Sequence, residues 1–134
     1  MKEQKNRIAL LVQYDGTKFN GWQNQNKGRT VQGEIEKALN IISRKKIHIT
    51  ASGRTDAGVH ALGQVLHFDF YDNISLKKLC RSMNGILKND ISIKNAYMVH
   101  SSFHARYSAI QREYIYLIYN LPERRCLSSL VIYL

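Results

Sequence analysis

The segment GQVLHFDF, residues 63–70, alternates between apolar and mixed positions and predicts a strand with one buried face. The apolar side carries Leu66, Phe68 and Phe70, whereas the intervening positions differ in polarity. A strand of this kind needs a second layer against its apolar side, since that side cannot face water. We therefore place residues 63–70 in a sheet that is packed on one face.

Four further segments, on either side of this strand, also have strand-like composition and alternation. They are residues 7–15, 46–55, 90–100 and 112–120. The first of them ends in Asp15-Gly16, which is a turn signal. The last is rich in aromatic residues and ends just before Pro122.

Two helices are predicted from apolar residues that recur at helical spacing. The first follows the N-cap residue Thr30 and runs to about Arg44, with apolar positions at Val31, Ile35, Ala38, Leu39 and Ile42. The second follows the N-cap residue Ser75 and carries on one face Leu76, Leu79, Cys80, Met83 and Leu87.

The predicted order is strand, helix, strand, strand, helix, strand and one further strand. This order is typical of an α+β fold of the ferredoxin-like split βαβ type. Such a fold has a mainly antiparallel sheet with two helices on one face, and we expect the opposite face to be free for a ligand.

Composition narrows the class of partner. The 134 residues suit one domain, and a formal net charge of +10 predicts a phosphate-rich partner such as a nucleic acid. Cys80 and Cys126 lie far apart without a zinc-binding spacing. The apolar run at residues 8–12 is too short for a membrane span or an export signal. We therefore expect a cytoplasmic protein without membrane contact.

The segment SGRTDAGVHALGQ, residues 52–64, holds the residues with the clearest chemistry, and its glycines separate Arg54, Asp56 and His60. An arginine near Asp56 would keep the carboxylate ionised, as a general base or a nucleophile requires. Asp56 and His60 lack the further ligands that a metal site needs. An ordinary turn, in which aspartate and glycine are common, explains the same residues. From the residues alone, active site and turn both stay open.

Three blocks resemble the TruA family of tRNA pseudouridine synthases. GRTDAGVHALGQVLHF resembles the family's catalytic motif. YDGTKFNGWQNQ with TVQGEIEKAL resembles its N-terminal block, and SFHARYSAIQREYIYLIYN resembles its third block. The resemblance is continuous over residues 7–120, with the blocks in the family's order.

The resemblance implies roles for individual residues. Asp56 matches the catalytic aspartate, which acts on the target uridine either as a nucleophile or by abstracting a ribose proton. Arg54 matches the arginine that pairs with this aspartate and helps to hold the flipped uridine. Tyr114 matches a tyrosine that packs on the flipped base. Arg106 matches a position for which phosphate or base contact is one interpretation and a structural ion pair the other.

Other residues of these blocks have weaker assignments. Trp22 would either stack on RNA or hold its own loop in place. We expect phosphate contacts from basic residues of the same loop, with solvated surface as the alternative: Lys18, Lys27 and Arg29. We expect His60 to shape the loop rather than to transfer protons. The family resemblance implies no metal and no organic cofactor.

The resemblance also implies an incomplete match. We predict a catalytic ferredoxin-like domain over residues 1–122 and an atypical tail over 123–134, where we expect a truncation because the family continues into a second half. The apolar end, Leu130–Leu134, would pair within this domain or, as we favour, belong to a larger architecture. The family's substrate is the tRNA anticodon stem-loop, bound by a homodimer. The alternative is a truncated, catalytically inactive, basic RNA-binding fragment.

Overall fold

A four-stranded antiparallel sheet forms the centre of the molecule in the computed structural model, which describes residues 5–26, 28–118, 120–123 and 132–133. Its strands are β1 (Asn6–Tyr14), β2 (Thr50–Ala51), β3 (Ala61–Phe70) and β4 (Ile91–Val99). They lie in the order β2-β3-β1-β4, and every neighbouring pair is antiparallel. The ferredoxin-like prediction is confirmed, because β1 and β3 pair with each other in the middle of the sheet and β2 and β4 lie at its edges.

Two helices connect these strands, α1 (Val31–Ser43) and α2 (Leu76–Ile86). Both predicted N-caps are confirmed, since Thr30 accepts a hydrogen bond from the amide of Gly33 at 3.1 Å and Ser75 accepts one from the amide of Lys78 at 3.1 Å. A short 3-10 helix, Gly16–Lys18, follows β1.

The core lies between the helices and one face of the sheet. The predicted apolar side of β3 is buried, with Phe68 only 1% exposed. It pairs in register with β1, so that Ile8 is opposite Phe68 and Leu10 is opposite Leu66. The helices supply the remaining large side chains, among them Ile35, Leu39, Leu79 and Met83.

The predicted strand at residues 46–55 is much shorter in the structure, where only Thr50 and Ala51 pair with β3. The amides of Ile47 and Ile49 donate instead to side chains of α1, at 2.8 Å to Asn40 and 3.1 Å to Glu36. Both isoleucines are buried. The alternation of apolar residues in this segment therefore reflects burial against α1. Side chains of that helix accept the hydrogen bonds of the two backbone amides, so no strand partner is needed.

The predicted strand at residues 112–120 was also too long. Among the described residues of this segment, only β5 (Ile115–Tyr116) forms a strand, and it pairs with β6 (Ile132–Tyr133) in a separate two-stranded sheet. Neighbouring side chains such as Leu117 are exposed, so aromatic and branched residues alone did not produce a long strand. Most of the predicted tail, residues 123–134, lies outside the described residues, and its boundary stays a prediction.

The sheet face opposite the helices is partly covered, although we expected it to be free. A guanidinium nitrogen of Arg7 donates to the Phe103 carbonyl at 2.7 Å, and the amide of Ala105 donates to Nδ1 of His67 at 3.0 Å. Ala105 is 2% exposed. These contacts hold the segment after β4 across the open face and direct it towards the loop that precedes β3.

Within the described residues, no helix combines the length and apolar composition that a bilayer span requires.

We expect Phe68→Ala to lower the free energy of unfolding by about 3–5 kcal/mol, because it empties a fully enclosed position in the core. Urea denaturation monitored by circular dichroism measures this loss. Ile41→Ala on α1 is the matched control, since Ile41 is 62% exposed and its truncation should change stability by about 0.5 kcal/mol or less. Equal losses in the two variants would contradict the packing described for β3.

We expect stability to fall on acidification because of His67. Burial lowers the pKa of His67, as do the positive charge of Arg7 on β1 and His104 on the covering segment, while Asp69 on β3 opposes them. A neutral His67 therefore stabilises the fold above its ordinary pKa of about 6.5, and this contribution is lost as the pH falls through the lower folded value.

Urea midpoints between pH 8 and pH 5 measure this dependence on pH. His67→Asn keeps an acceptor for the Ala105 amide but cannot titrate, so its stability should change less over this range. A variant curve parallel to that of the wild type would show that His67 does not carry the effect.

Candidate active site

The loop between β2 and β3 is held by hydrogen bonds to three other parts of the fold. Gln64 is 4% exposed, and its amide donates to the Gly53 carbonyl at 2.6 Å while it accepts from the Ser52 hydroxyl at 2.7 Å. The Tyr14 and Thr55 hydroxyls share a hydrogen bond of 2.7 Å. The amide of Trp22 donates to the Thr55 carbonyl at 3.0 Å. The backbone around Arg54 is thus fixed before any ligand arrives.

Arg54 and Asp56 flank the buried Thr55, and both are exposed. They line one cavity of about 310 Å³, together with Asn20, Gln23 and Ala57 among others. The expected Arg54–Asp56 ion pair is not formed, since in the part of the chain that the structure describes neither side chain has a hydrogen bond or ion pair. Water solvates both charges, and an exposed pair gains only about 0–1 kcal/mol.

Close backbone approach brings the loop after β1 against this segment. A Cβ on Gly16 would lie 1.9 Å from the Val59 carbonyl oxygen, and one on Gly21 would lie 2.8 Å from that of Thr55. The Gly16 amide also donates to Nδ1 of His60 at 2.8 Å. His60 thus contacts the backbone, as its expected role in shaping the loop requires.

A larger cleft, of about 640 Å³, opens beside the Asp56 cavity and shares Gln23 and Arg54 with it. Arg106 and Tyr114, which the resemblance assigned to substrate binding, both line this cleft. Tyr114 is 51% exposed, so its ring is accessible to a planar partner. The structure therefore brings together Arg54, Asp56, Arg106 and Tyr114, although they come from distant blocks.

Trp22 lines the same cleft but is 3% exposed, with its ring centroid 6.1 Å from that of Tyr14. Stacking on RNA requires an accessible ring face. Its burial favours the other interpretation, in which Trp22 holds its loop in place.

Arg29 and Lys18 lie away from this cleft, around a different cavity. Arg29 donates to both carboxylate oxygens of Asp90 at 2.6 and 3.0 Å, and its guanidinium lies 4.3 Å from the centroid of Phe19. This hydrogen bonding lowers the pKa of Asp90. Arg29 is thus paired with Asp90, and its expected phosphate contact stays a prediction. Lys18 is exposed, and Lys27 lies outside the described residues.

Two residues were not singled out from the sequence. Gln64 is the buried amide that holds the loop, and Arg112 donates to the Ser52 carbonyl at the lining of the cleft. A polar residue on the same side of the strand as Leu66, Phe68 and Phe70 was the available signal for Gln64. Among the described residues, no group of three or more His, Cys, Asp or Glu side chains is arranged to hold a metal ion.

The fold and the cleft define a class: a basic α+β domain with exposed arginines at a polar cleft, which includes Arg54 and Arg106. The family model described as tRNA pseudouridine synthase matches residues 10–108. The chain belongs to the tRNA pseudouridine synthase family.

Individual relatives agree with this assignment. The chain is 49% identical over 124 residues to tRNA pseudouridine synthase A of Maridesulfovibrio salexigens. The aligned region covers 89% of this chain and 46% of that relative. It is 50% identical over 113 residues to the protein of that name from Caldicellulosiruptor saccharolyticus, and this alignment covers 84% of the chain and 46% of the relative. It is 44% identical over 131 residues to tRNA pseudouridine synthase A of Buchnera aphidicola, and this alignment covers 97% of the chain and 49% of the relative. The chain thus spans about half the length of these relatives.

Three alanine substitutions of glycine test the packing of the loops. Gly16→Ala should destabilise the fold by about 1–3 kcal/mol, because its Cβ would overlap the Val59 carbonyl. Gly58→Ala meets no neighbouring atom but places alanine at a φ of +83°, which costs about 1–2 kcal/mol.

Gly85→Ala is the control, since that position lies in α2 with open space around it. Alanine there should stabilise by about 0.5–1 kcal/mol through helix propensity. Thermal unfolding of the three variants measures their stabilities relative to the wild type. A Gly16→Ala protein as stable as the wild type would contradict the close approach of the two loops.

Proposed function

We propose that this chain carries the catalytic residues of a tRNA pseudouridine synthase, with Asp56 as the catalytic carboxylate and the tRNA anticodon stem-loop as its substrate. One observation supports this most directly. Asp56 and Arg54 share a solvent-accessible cavity that adjoins the cleft of Arg106 and Tyr114, in a chain of that family.

The reaction is an isomerisation that needs no other reactant. The bond between N1 of uracil and C1′ of the ribose breaks, the base rotates, and C5 bonds to C1′. The proton on C5 is lost and N1 gains one, so the atoms balance. Asp56 serves either by attacking the nucleotide or by abstracting a ribose proton, and both roles use an ionised carboxylate.

The described side chains suit a uridine extruded from its stack. Extrusion costs a few kcal/mol, which contacts to the flipped nucleotide have to offset. The half-exposed ring of Tyr114 is available to pack on the base, and Arg54 lies between the two cavities. Arg106 is exposed at the cleft without an ion pair among the described residues, which leaves it available to a phosphate.

The net charge of +10 suits such a partner, because it attracts a polyanion over distances of about a Debye length. The homodimer that the family resemblance implies is also part of this proposal. Sedimentation of the chain with and without tRNA measures whether it is a monomer or a dimer.

The test is release of tritium from an anticodon stem-loop labelled at C5 of uridine, because only rejoining through C5 expels that label. We expect Asp56→Asn to lower the rate at least a thousandfold, since it removes the reacting carboxylate, while RNA affinity changes little. Asp72→Asn is the control, an exposed aspartate before α2 that should leave the rate unchanged.

Turnover that survives Asp56→Asn would overturn the catalytic assignment. Absence of turnover in the wild-type chain, with salt-sensitive RNA binding intact, would support the alternative of an inactive RNA-binding fragment.

A further inference from the structure

Arg112 connects the two segments that carry the candidate site. Its Nε and Nη2 atoms both donate to the Ser52 carbonyl oxygen, at 3.0 and 2.5 Å. Ser52 lies two residues before Arg54, and Arg112 lies two residues before Tyr114. One carbonyl oxygen therefore joins the loop of the catalytic carboxylate to the segment of the base-packing tyrosine.

The Ser52 end of this contact is rigid. The Ser52 amide donates to the Val65 carbonyl at 2.8 Å, and its hydroxyl donates to Gln64 at 2.7 Å. Both partners belong to β3, which supplies Leu66, Phe68 and Phe70 to the core. Ser52 is thus a fixed point of the sheet, and Arg112 attaches to it from outside.

The Arg112 end has little other support. Among the described residues, the hydrogen bonds made by residues 109–114 are the two from Arg112. The side chains here are largely exposed, and Ile110 is fully so. Upstream, the segment is held at Ala105 by His67. From there to β5, its position over the cleft depends on Arg112.

The guanidinium of Arg112 lies against Gly53 of the loop. A Cβ on Gly53 would lie 3.4 Å from Nε of Arg112 and 3.7 Å from its Cδ, which is ordinary van der Waals contact. A planar guanidinium can direct two donors at one oxygen, whereas an ammonium group has a single nitrogen on a flexible stem. Arginine at position 112 therefore suits this contact better than lysine would.

We propose that Arg112 is a positioning residue, which sets the distance between Tyr114 and the loop of Arg54 and Asp56. This inference rests on the proposed function for its effect on turnover, but its structural part does not. The competing interpretation is that Arg112 contacts an RNA phosphate, since its side chain also lines the cleft.

Arg112→Lys separates these interpretations, because lysine keeps the charge and loses the paired donors. We expect amide hydrogen exchange at Ile115 and Tyr116, which pair in β5 just after this segment, to rise at least fivefold in the 134-residue chain. We expect kcat for tritium release to fall about tenfold, while KM and the salt dependence of RNA binding stay within about twofold.

Arg81→Lys on α2 is the control, an exposed arginine away from the cleft that should behave as the wild type. Exchange in Arg112→Lys equal to that of the wild type would overturn the inference. It would also be overturned if Arg112→Lys kept full kcat while Arg112→Gln lost RNA affinity, since charge alone would then matter. If the wild-type chain has no turnover, the proposed function fails, and the exchange rates alone decide the role of Arg112.

Discussion

The buried amide of Gln64 is the interaction on which the candidate site depends. It is on a strand whose neighbouring residues form the core, and it binds Ser52 and Gly53 in the loop that follows β2. An apolar residue there would leave the Gly53 carbonyl without this partner, and an unsatisfied buried polar group costs about 1–3 kcal/mol. Packing of the sheet against its helices fixes the position of Gln64. Gln64 in turn holds the backbone that precedes Arg54 and Asp56.

The arginines that contribute to the large positive charge of the chain fall into two groups, those in ion pairs and those exposed at the cleft. Arg7 and Arg29 are paired with Asp69 and Asp90, where they tie distant segments together. Hydrogen bonding to Arg7 lowers the pKa of Asp69, as Arg29 does for Asp90, so both pairs stay charged over the neutral range. By contrast, Arg54 and Arg106 are exposed at the cleft. Net charge predicts a polyanionic partner but cannot identify which cations remain available to it.

Much of the fold could be predicted from periodicity and end signals, since β3, both helices and both N-caps follow from local rules. The errors occurred where tertiary contacts decide, as at Ile47 and Ile49, whose amides donate to side chains of α1. Tertiary contacts also bury Trp22, in agreement with one of its two expected roles, and pair Arg29 with Asp90. Each of these outcomes depends on a three-dimensional contact, which spacing does not reveal. The family resemblance identified Asp56, Arg54, Arg106 and Tyr114 as one site before geometry placed them around adjoining cavities, whereas Arg112 needed the structure.

The contacts of Gly16 with Val59 and of Gly21 with Thr55 have a consequence for loop length. The two segments run past one another in opposite directions, and both contacts lie too close to admit a side chain. The number of residues between the contacts on one segment is therefore matched to the number on the other. An inserted or deleted residue in either segment would displace one contact point and misalign Thr55, on which the Tyr14 hydroxyl and the Trp22 amide converge. Exposed side chains of these loops can vary with little strain, whereas the lengths of the loops cannot.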